Sequence, residues 1–562
     1  MLRNITFSNY RAFEVGSYPI KPITIFIGQN SIGKTSALQI PLLLKQTLAI
    51  QNQAYYSALK VQGREISFGD QINIFRNKDG TRNLSLGIEF SNSNLTNYIK
   101  SIPNKSLNNY IEDTSQLMLY LLKYRGANLN IEHKKFTNKL SNYLFMDDFD
   151  FSKQDESFFD KLLSAKNILS NELSKDYIEP YILENYSARR LRRTKGRPQR
   201  KFTSLARSDL NRTLNLVKSF KEFHSERFGI EFQFKLIEEE NNSKINISQI
   251  EYYAPGKNRK TIAKLSFDAD DLISIESDII PTADLNAYIK TISKHIRNNE
   301  LISSIYSTNF HEINQLFPEI FLRILSKIHN ECLKYFSEES IGHIGPLRAH
   351  PKRFYLLDTS EVGSSDGDSL VEALRENEDL KKSVNNWLSR FNIHIDVDHF
   401  AEIIYRLSVA NKHTNISMDI TDVGFGISQI LPILAEGFLS PDEKIIIVEQ
   451  PEIHLHPQAQ SDLGDLFIDM AKIAKTENSQ PKKFFLIETH SEYLLNRIRR
   501  RISEGTVSHQ DVAIVYVEPD ENGVARTRQV AIRADGSFEW PRGFIQASLD
   551  DTMAFATRHS RK

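Results

Sequence analysis

Two stretches of this chain carry residue types at a spacing that could do chemistry. The first is Gly28, Gln29, Asn30, Ser31, Ile32, Gly33, Lys34 and Thr35, which fits G-x-x-x-x-G-K-[ST] and follows the apolar run Ile23-Thr24-Ile25-Phe26-Ile27. Glycines at both ends let the backbone turn tightly, so successive N–H groups converge on an anion. Lys34 adds a point charge suited to β/γ phosphates, and the Thr35 hydroxyl suits Mg²⁺. Ser36 lies at the start of an expected helix, whose positive dipole end strengthens the same site. The stretch therefore predicts a nucleotide such as ATP, with Mg²⁺.

The second stretch lies between residues 419 and 493. Gly424, Gly426, Ser428 and Gln429 sit in a Gly-rich turn opening a helix at Ile430, another place where phosphate can bind, although glycine at a turn is more often turn chemistry alone. The run Ile445-Ile446-Ile447-Val448 predicts a buried parallel strand, and Glu449 at its carboxyl end is placed to ligate Mg²⁺. Gln450, Glu452, His454 and His456 follow. The period-2 spacing of the two histidines matches no common structural zinc pattern. A further buried strand, Phe484 to Glu488, carries Thr489 and His490 at its tip.

Strands and helices must bring these pieces together. Residues 1–27 alternate like paired strands, Ile40 to Tyr56 reads as a Leu-rich helix, and Leu84 to Phe90 alternates again. From 95 to 335 the apolar residues recur at helical spacing in separate pieces, among them 117–122 and 158–169, without the sustained heptads of a coiled coil. Gly345, Pro346 and Arg348 suggest a strand ending in a shaped loop. Val512 to Val517 and Thr527 to Ile532 predict a final strand pair.

Lys+Arg and Asp+Glu both total 71, so net charge does not point to nucleic acid, and local patches would have to. Asp147, Asp148, Asp150, Asp155 and Glu156 form an acidic segment. Arg189, Arg190, Arg192, Arg193, Lys195, Arg197, Arg200 and Lys201 form a dense basic run. It reads as a nucleic-acid phosphate contact, a solvated loop or a site for an acidic partner. Arg497, Arg499, Arg500 and Arg501 could likewise meet DNA or simply finish a helix whose carboxyl end favours cations. The single cysteine, Cys332, excludes a disulfide framework. No apolar run approaches the roughly 18 residues of a membrane span, and no apolar leader follows Met1. A cytoplasmic protein is expected.

Taken in order, these motifs resemble the ATP-binding-cassette type of ATPase head shared by SMC proteins, DNA-repair ATPases and OLD-family nucleases, over roughly residues 1–60 and 340–500. The Gly345-Pro346-Leu347-Arg348 loop, the signature from Val423 to Gln429, Glu449-Gln450-Pro451-Glu452 and the segment Asp535 to Phe544 further resemble single-head ATPases of bacterial phage-defence systems, the Septu type (PtuA) most closely. The resemblance implies an α/β fold, a mixed sheet with flanking helices carrying a large, mostly helical insertion. Its parts would be a first head segment (1–94), the insertion (95–335), a second head segment (336–500) and a strand pair with tail (501–562).

It further implies a homodimer with two ATP molecules between the heads. Lys34 and Thr35 would serve phosphate and Mg²⁺, Glu449 the metal, the signature the partner's ATP, and His490 the γ-phosphate. Implied partners are a separate HNH-type nuclease and, in retron-associated relatives, a reverse transcriptase with its DNA product. Gln450 stands where relatives carry a catalytic Glu, which predicts slow hydrolysis unless Glu452 or His490 acts as base. Gly424 stands where the better-known signature has Ser. No nuclease site is expected in the residues after the head. The alternatives are a stand-alone DNA-dependent repair ATPase and a transporter's ATPase subunit, the latter disfavoured by the long insertion and the signature.

Overall fold

The computed structural model describes residues 1–49, 57–103, 207–238, 243–268, 271–296, 315–346, 351–356, 367–401, 404–411, 416–423, 425–440, 442–471 and 483–540, with a few single positions such as Arg348. The acidic segment 147–156, the basic run 189–201, the helices expected at 117–122 and 158–169, Gly424 and residues 541–544 lie outside them.

The chain begins with β1 (Leu2–Tyr10) and β2 (Phe13–Pro19), antiparallel with Tyr10 opposite Phe13. Next come β3 (Ile23–Gly28), α1 (Lys34–Leu48) and β4 (Leu84–Ser91), the last pairing with β1. Then follow α2 (Arg207–Glu222), β5 (Arg227–Glu238), β6 (Ser243–Ala254), β7 (Lys260–Asp268), β8 (Asp271–Glu276) and α3 (Leu316–Leu333). A second group comprises β9 (Ile341–Ile344), β10 (Tyr355–Leu356), α4 (Gly367–Glu376), α5 (Glu378–Leu388), β11 (Ile393–Ala401), β12 (Ile404–Asn411) and β13 (Ser417–Asp419). The chain closes with α6 (Phe425–Leu439), β14 (Ile445–Glu449), α7 (Pro457–Ala471), β15 (Phe484–Glu488), α8 (Glu492–Ser503), β16 (Val512–Pro519) and β17 (Ala525–Val530).

Among the described residues one sheet runs through 13 strands in the order β8-β7-β6-β5-β4-β1-β2-β17-β16-β3-β15-β14-β9. The strands β16, β3, β15, β14 and β9 are mutually parallel. Every residue of β3, β14 and β15 is buried, as parallel strands covered on both faces require. Their side chains alternate between two cores. Phe26, Ile447 and Leu486 pack with residues of α1 and α3, whereas Ile25, Val448 and Ile487 pack with residues of α6, α7 and α8. β10, β12, β11 and β13 form a separate small sheet beside α4 and α5.

The segment 95–335 contains more strand than helical spacing predicts. Phe228, Ile230, Phe232, Phe234 and Leu236 alternate into the core along β5, and four antiparallel strands extend the sheet beyond β4. One buried face per strand suffices there, which is why polar residues remain frequent. The consequence for function lies at the other end: β3, β14 and β15 deliver Gly28, Glu449 and Glu488 to one edge of the sheet. The space beyond the carboxyl ends of parallel strands is where such sheets bind ligands.

Candidate nucleotide site

Gly28 ends β3 at φ 148°, and a Cβ there would lie 2.2 Å from the Val517 carbonyl oxygen. Gly33 has φ 114°, and a Cβ would sit 2.9 Å from the Phe13 ring. Both positions therefore require glycine. Between them the loop turns through Ser31 at φ 61° and enters α1, whose first turn carries no acidic residue to offset its dipole. Lys34 is 3 % exposed; its Nζ donates to the carbonyls of Gly28 at 3.1 Å and Gln29 at 2.7 Å and lies 3.9 Å from Glu488. Burial lowers the Lys34 pKa, while Glu488 and Glu452 pull it back up. Gln29, Asn30, Ser31 and Ile32 lie between the two glycines, and Ser36 stands in the first turn of α1.

Beside it opens a cleft of about 380 Å³, a volume suited to a small ligand. Ser31, Lys34, Thr35 and Ser36 form one wall, and Arg11, Asn73, Phe75 and Lys78 the other. The Arg11 guanidinium donates to the Asn73 carbonyl at 3.1 Å and lies 5.0 Å from the Phe68 ring centre. This second wall has no motif in the sequence. The pairing of β1 with β2, the antiparallel bridge between Tyr10 and Phe75 and the bond from the Arg11 backbone amide to the Ile74 carbonyl bring it to the loop.

Glu449 and Glu488 end adjacent parallel strands in the same register. His343, on β9, donates through Nε2 to Glu449 Oε1 at 2.9 Å. The Thr35 hydroxyl donates to Glu488 Oε2 at 2.7 Å. Burial raises the Glu488 pKa; the Thr35 bond and Lys34 oppose this, while Glu449 and Glu452 add to it. Neither Glu488 nor His343 belongs to a readable motif, yet both border the residues that do. The oxygens of Thr35, Glu449 and Glu488 are hard donors of the kind Mg²⁺ prefers, and they fit that ion. Among the described residues no cluster of three or more His, Cys, Asp or Glu side chains is arranged as a self-sufficient metal site, His454 and His456 included.

The residues after β14 are engaged differently. Gln450 sits at φ 45°, and its backbone N–H donates to the Glu488 carbonyl at 2.8 Å. Glu452 has both oxygens occupied: the His490 amide donates to Oε1 at 2.7 Å and the Thr489 hydroxyl to Oε2 at 2.8 Å. Burial nevertheless raises the Glu452 pKa. Burial, and secondarily Lys34, lowers that of His490, which favours a neutral imidazole, and its Nε2 is buried without a hydrogen-bond partner.

Arg348 joins this end of the sheet to the signature helix. It is 9 % exposed and donates to the Gln429 carbonyl at 3.2 Å, the Glu449 carbonyl at 3.1 Å and the Gln450 carbonyl at 3.3 Å. Burial pulls its pKa down to about 10, against the attraction of Glu452. Gly426, in the first turn of α6, approaches the same loop so closely that a Cβ would lie 3.0 Å from the His454 carbonyl oxygen. Ser428 and Gln429 are buried in that helix. The helix begins at Phe425, earlier than the sequence suggests.

The arginines of α8 are occupied within the chain. Arg497 pairs with Asp462 and Asp465, and Arg501 with Asp465 and Glu504. Arg500 pairs with Glu504; Arg499 donates to the Gly536 carbonyl and lies 4.9 Å from the Phe538 ring centre. Among the described residues no helix is long and apolar enough to cross a membrane.

No curated protein is similar enough to match the sequence. Among solved structures, the SMC head domain from Thermotoga maritima aligns over 95 % of this chain and 99 % of its own, at 6 % identity and a TM-score of 0.32. The family model described as "AAA ATPase domain" matches residues 1–495, which takes in the phosphate loop, the signature helix, Glu449 and His490. The chain belongs to that family of AAA ATPase domains.

Proposed function

We propose that the protein is an ATP-gated switch. Two copies close over two ATP molecules, hydrolysis is slow, and the closed state controls a separate effector, a nuclease of the HNH kind, in a phage-defence complex. The observation that carries the gate is a run of contacts: Lys34 lies 3.9 Å from Glu488, the Glu488 carbonyl accepts from the Gln450 backbone amide at 2.8 Å, and Arg348 donates to the Gln450 carbonyl at 3.3 Å and to the Gln429 carbonyl on the signature helix at 3.2 Å. It connects the group that would meet a chain's own phosphates to the helix that would meet its partner's.

The roles follow from placement. The loop amides, Lys34 and the α1 dipole would hold the phosphates, and Thr35 and Glu449 would hold Mg²⁺. Bound Mg²⁺ would supply positive charge that offsets the negative charge of the phosphates. His490, neutral and with an unused Nε2, is placed to report the γ-phosphate. Gln450 orients water but is a poor proton acceptor. Glu452 offers little as a substitute base, because both its oxygens fasten the Thr489–His490 turn. Closing the dimer around a γ-phosphate and opening without it makes ATP a switch rather than a fuel.

The effector rests on the sequence resemblance to Septu-type ATPases, and a reverse transcriptase with its DNA product is a further partner of that class. A stand-alone DNA-dependent ATPase draws less support, since Arg497, Arg499, Arg500 and Arg501 are taken up inside the chain. Purification of tagged protein from its host, with mass spectrometry of proteins and end-labelling of nucleic acid, tests the effector. A co-purifying nuclease is expected. A bare protein whose turnover rises with DNA would contradict it.

A further inference from the structure

The residue at the heart of the site that no motif explains is Glu488. It closes β15 immediately before the Thr489–His490 turn, and its carboxylate faces the phosphate loop rather than solvent. A buried carboxylate beside a phosphate site is unfavourable unless a cation lies between, because like charges in a poorly solvated setting repel strongly. Around it stand Glu449 and Glu452, with Lys34 as the nearest cation at 3.9 Å. Three carboxylates stand against two cations, the Lys34 ammonium and the Arg348 guanidinium that attracts Glu452, so negative charge is in excess even before a triphosphate enters.

The spacing of the oxygens shows what would balance it. Thr35 Oγ1 and Glu488 Oε2 are 2.7 Å apart. Neighbouring oxygens around an octahedral Mg²⁺ with metal–oxygen distances of roughly 2.1 Å are separated by about 3 Å. The pair is therefore close to one edge of a magnesium shell without any movement of the backbone. Glu449 belongs to the next strand in the same register, its charge acts on Glu488, and its Oε1 is held by His343, which fixes the carboxylate on its support.

We propose that Glu488 is a carboxylate ligand of the nucleotide's divalent cation, directly or through one water, alongside Thr35 and Glu449. This rests on the nucleotide reading given above and deepens it. A site with two carboxylates should draw more of its ATP affinity from the metal than a loop relying on the Thr hydroxyl and one acid. Metal-free ATP meets Glu488 as a repulsive charge, whereas Mg·ATP meets it as a ligand.

The test compares ATPγS binding by calorimetry in Mg²⁺ and in EDTA, for the full-length wild type and for Glu488→Gln. The amide keeps an oxygen acceptor for Thr35, so the fold should survive; circular dichroism and the EDTA titration check this independently. In the wild type Mg²⁺ should tighten binding strongly. In Glu488→Gln the ratio of the two dissociation constants should fall about tenfold, with metal-free binding becoming tighter. Glu488→Asp, which keeps the charge on a shorter arm, should recover part of the ratio. With Mn²⁺ as probe, the electron paramagnetic resonance spectrum of bound Mn·ATPγS should change between wild type and Glu488→Gln. An unaltered ratio and an unaltered Mn²⁺ spectrum would overturn the assignment while leaving nucleotide binding intact. Wild-type protein that binds ATPγS in neither buffer would overturn the nucleotide reading itself, and this assignment with it.

Discussion

The backbone amide of His490 donates to Oε1 of Glu452 at 2.7 Å, across a separation of 38 residues. With the Thr489 hydroxyl on the other oxygen, the carboxylate works as a clasp that fixes the turn carrying His490. Replacing Glu452 by Ala leaves these buried donors without acceptors, at a cost of about 1–3 kcal/mol. Urea denaturation should register the loss, and Glu452→Gln, which keeps one acceptor, should lose less. Equal stability of Glu452→Ala and wild type would refute the clasp.

Gln450 bears on rate. Introducing the carboxylate with Gln450→Glu should raise steady-state phosphate release by tenfold or more, the lower part of what a positioned general base supplies. Brisk hydrolysis by the wild type, unchanged by the substitution, would contradict slow turnover.

Arg348 bears on coupling. Its guanidinium reaches three carbonyls on two elements, a geometry the single ammonium of Lys does not reproduce. In Arg348→Lys, ATP should still bind the phosphate loop within a few-fold of wild type, while ATP-driven dimerisation weakens tenfold or more. Loss of both to the same degree would mean that the residue only holds the fold together.

His329 bears on acid stability. It is buried against the Ile302 carbonyl at 2.7 Å and the Tyr252 hydroxyl at 3.0 Å, and burial lowers its pKa from 6.5 to about 4. Below pH 6.5 the unfolded chain takes up a proton that the folded chain refuses. This contribution is therefore complete above 6.5 and is lost as pH falls toward 4. Between pH 7 and 4.5 the wild type should lose on the order of 2–3 kcal/mol more than His329→Gln, from about 1.36 kcal/mol per pKa unit. Parallel pH profiles for the two proteins would contradict it.

How much of this was readable beforehand depended on whether a residue's neighbours were local in sequence. The loop from Gly28 to Thr35 and the runs Ile445–Val448 and Phe484–Ile487 announce themselves, because glycine spacing and unbroken apolar runs are short-range signals. The four strands from Arg227 to Glu276 were also present, in the alternation of Phe228, Ile230, Phe232 and Phe234, but lay hidden within a polar composition that suggested helices. Glu488 and His343 could not be found that way. Thr35 and Glu488 are 453 residues apart, and His343 and Glu449 are 106 apart. Their meeting depends on the order and register of parallel strands, which no local pattern encodes.

If ATP closes two copies of this chain, its γ-phosphate is what holds them closed. Sedimentation velocity of the purified protein with Mg·ATPγS, Mg·ADP and no nucleotide tests it most directly. A dimer should form with ATPγS and return to monomer with ADP, and Lys34→Ala should stay monomeric throughout. A sedimentation coefficient independent of nucleotide, in protein shown to bind ATPγS, would contradict the account.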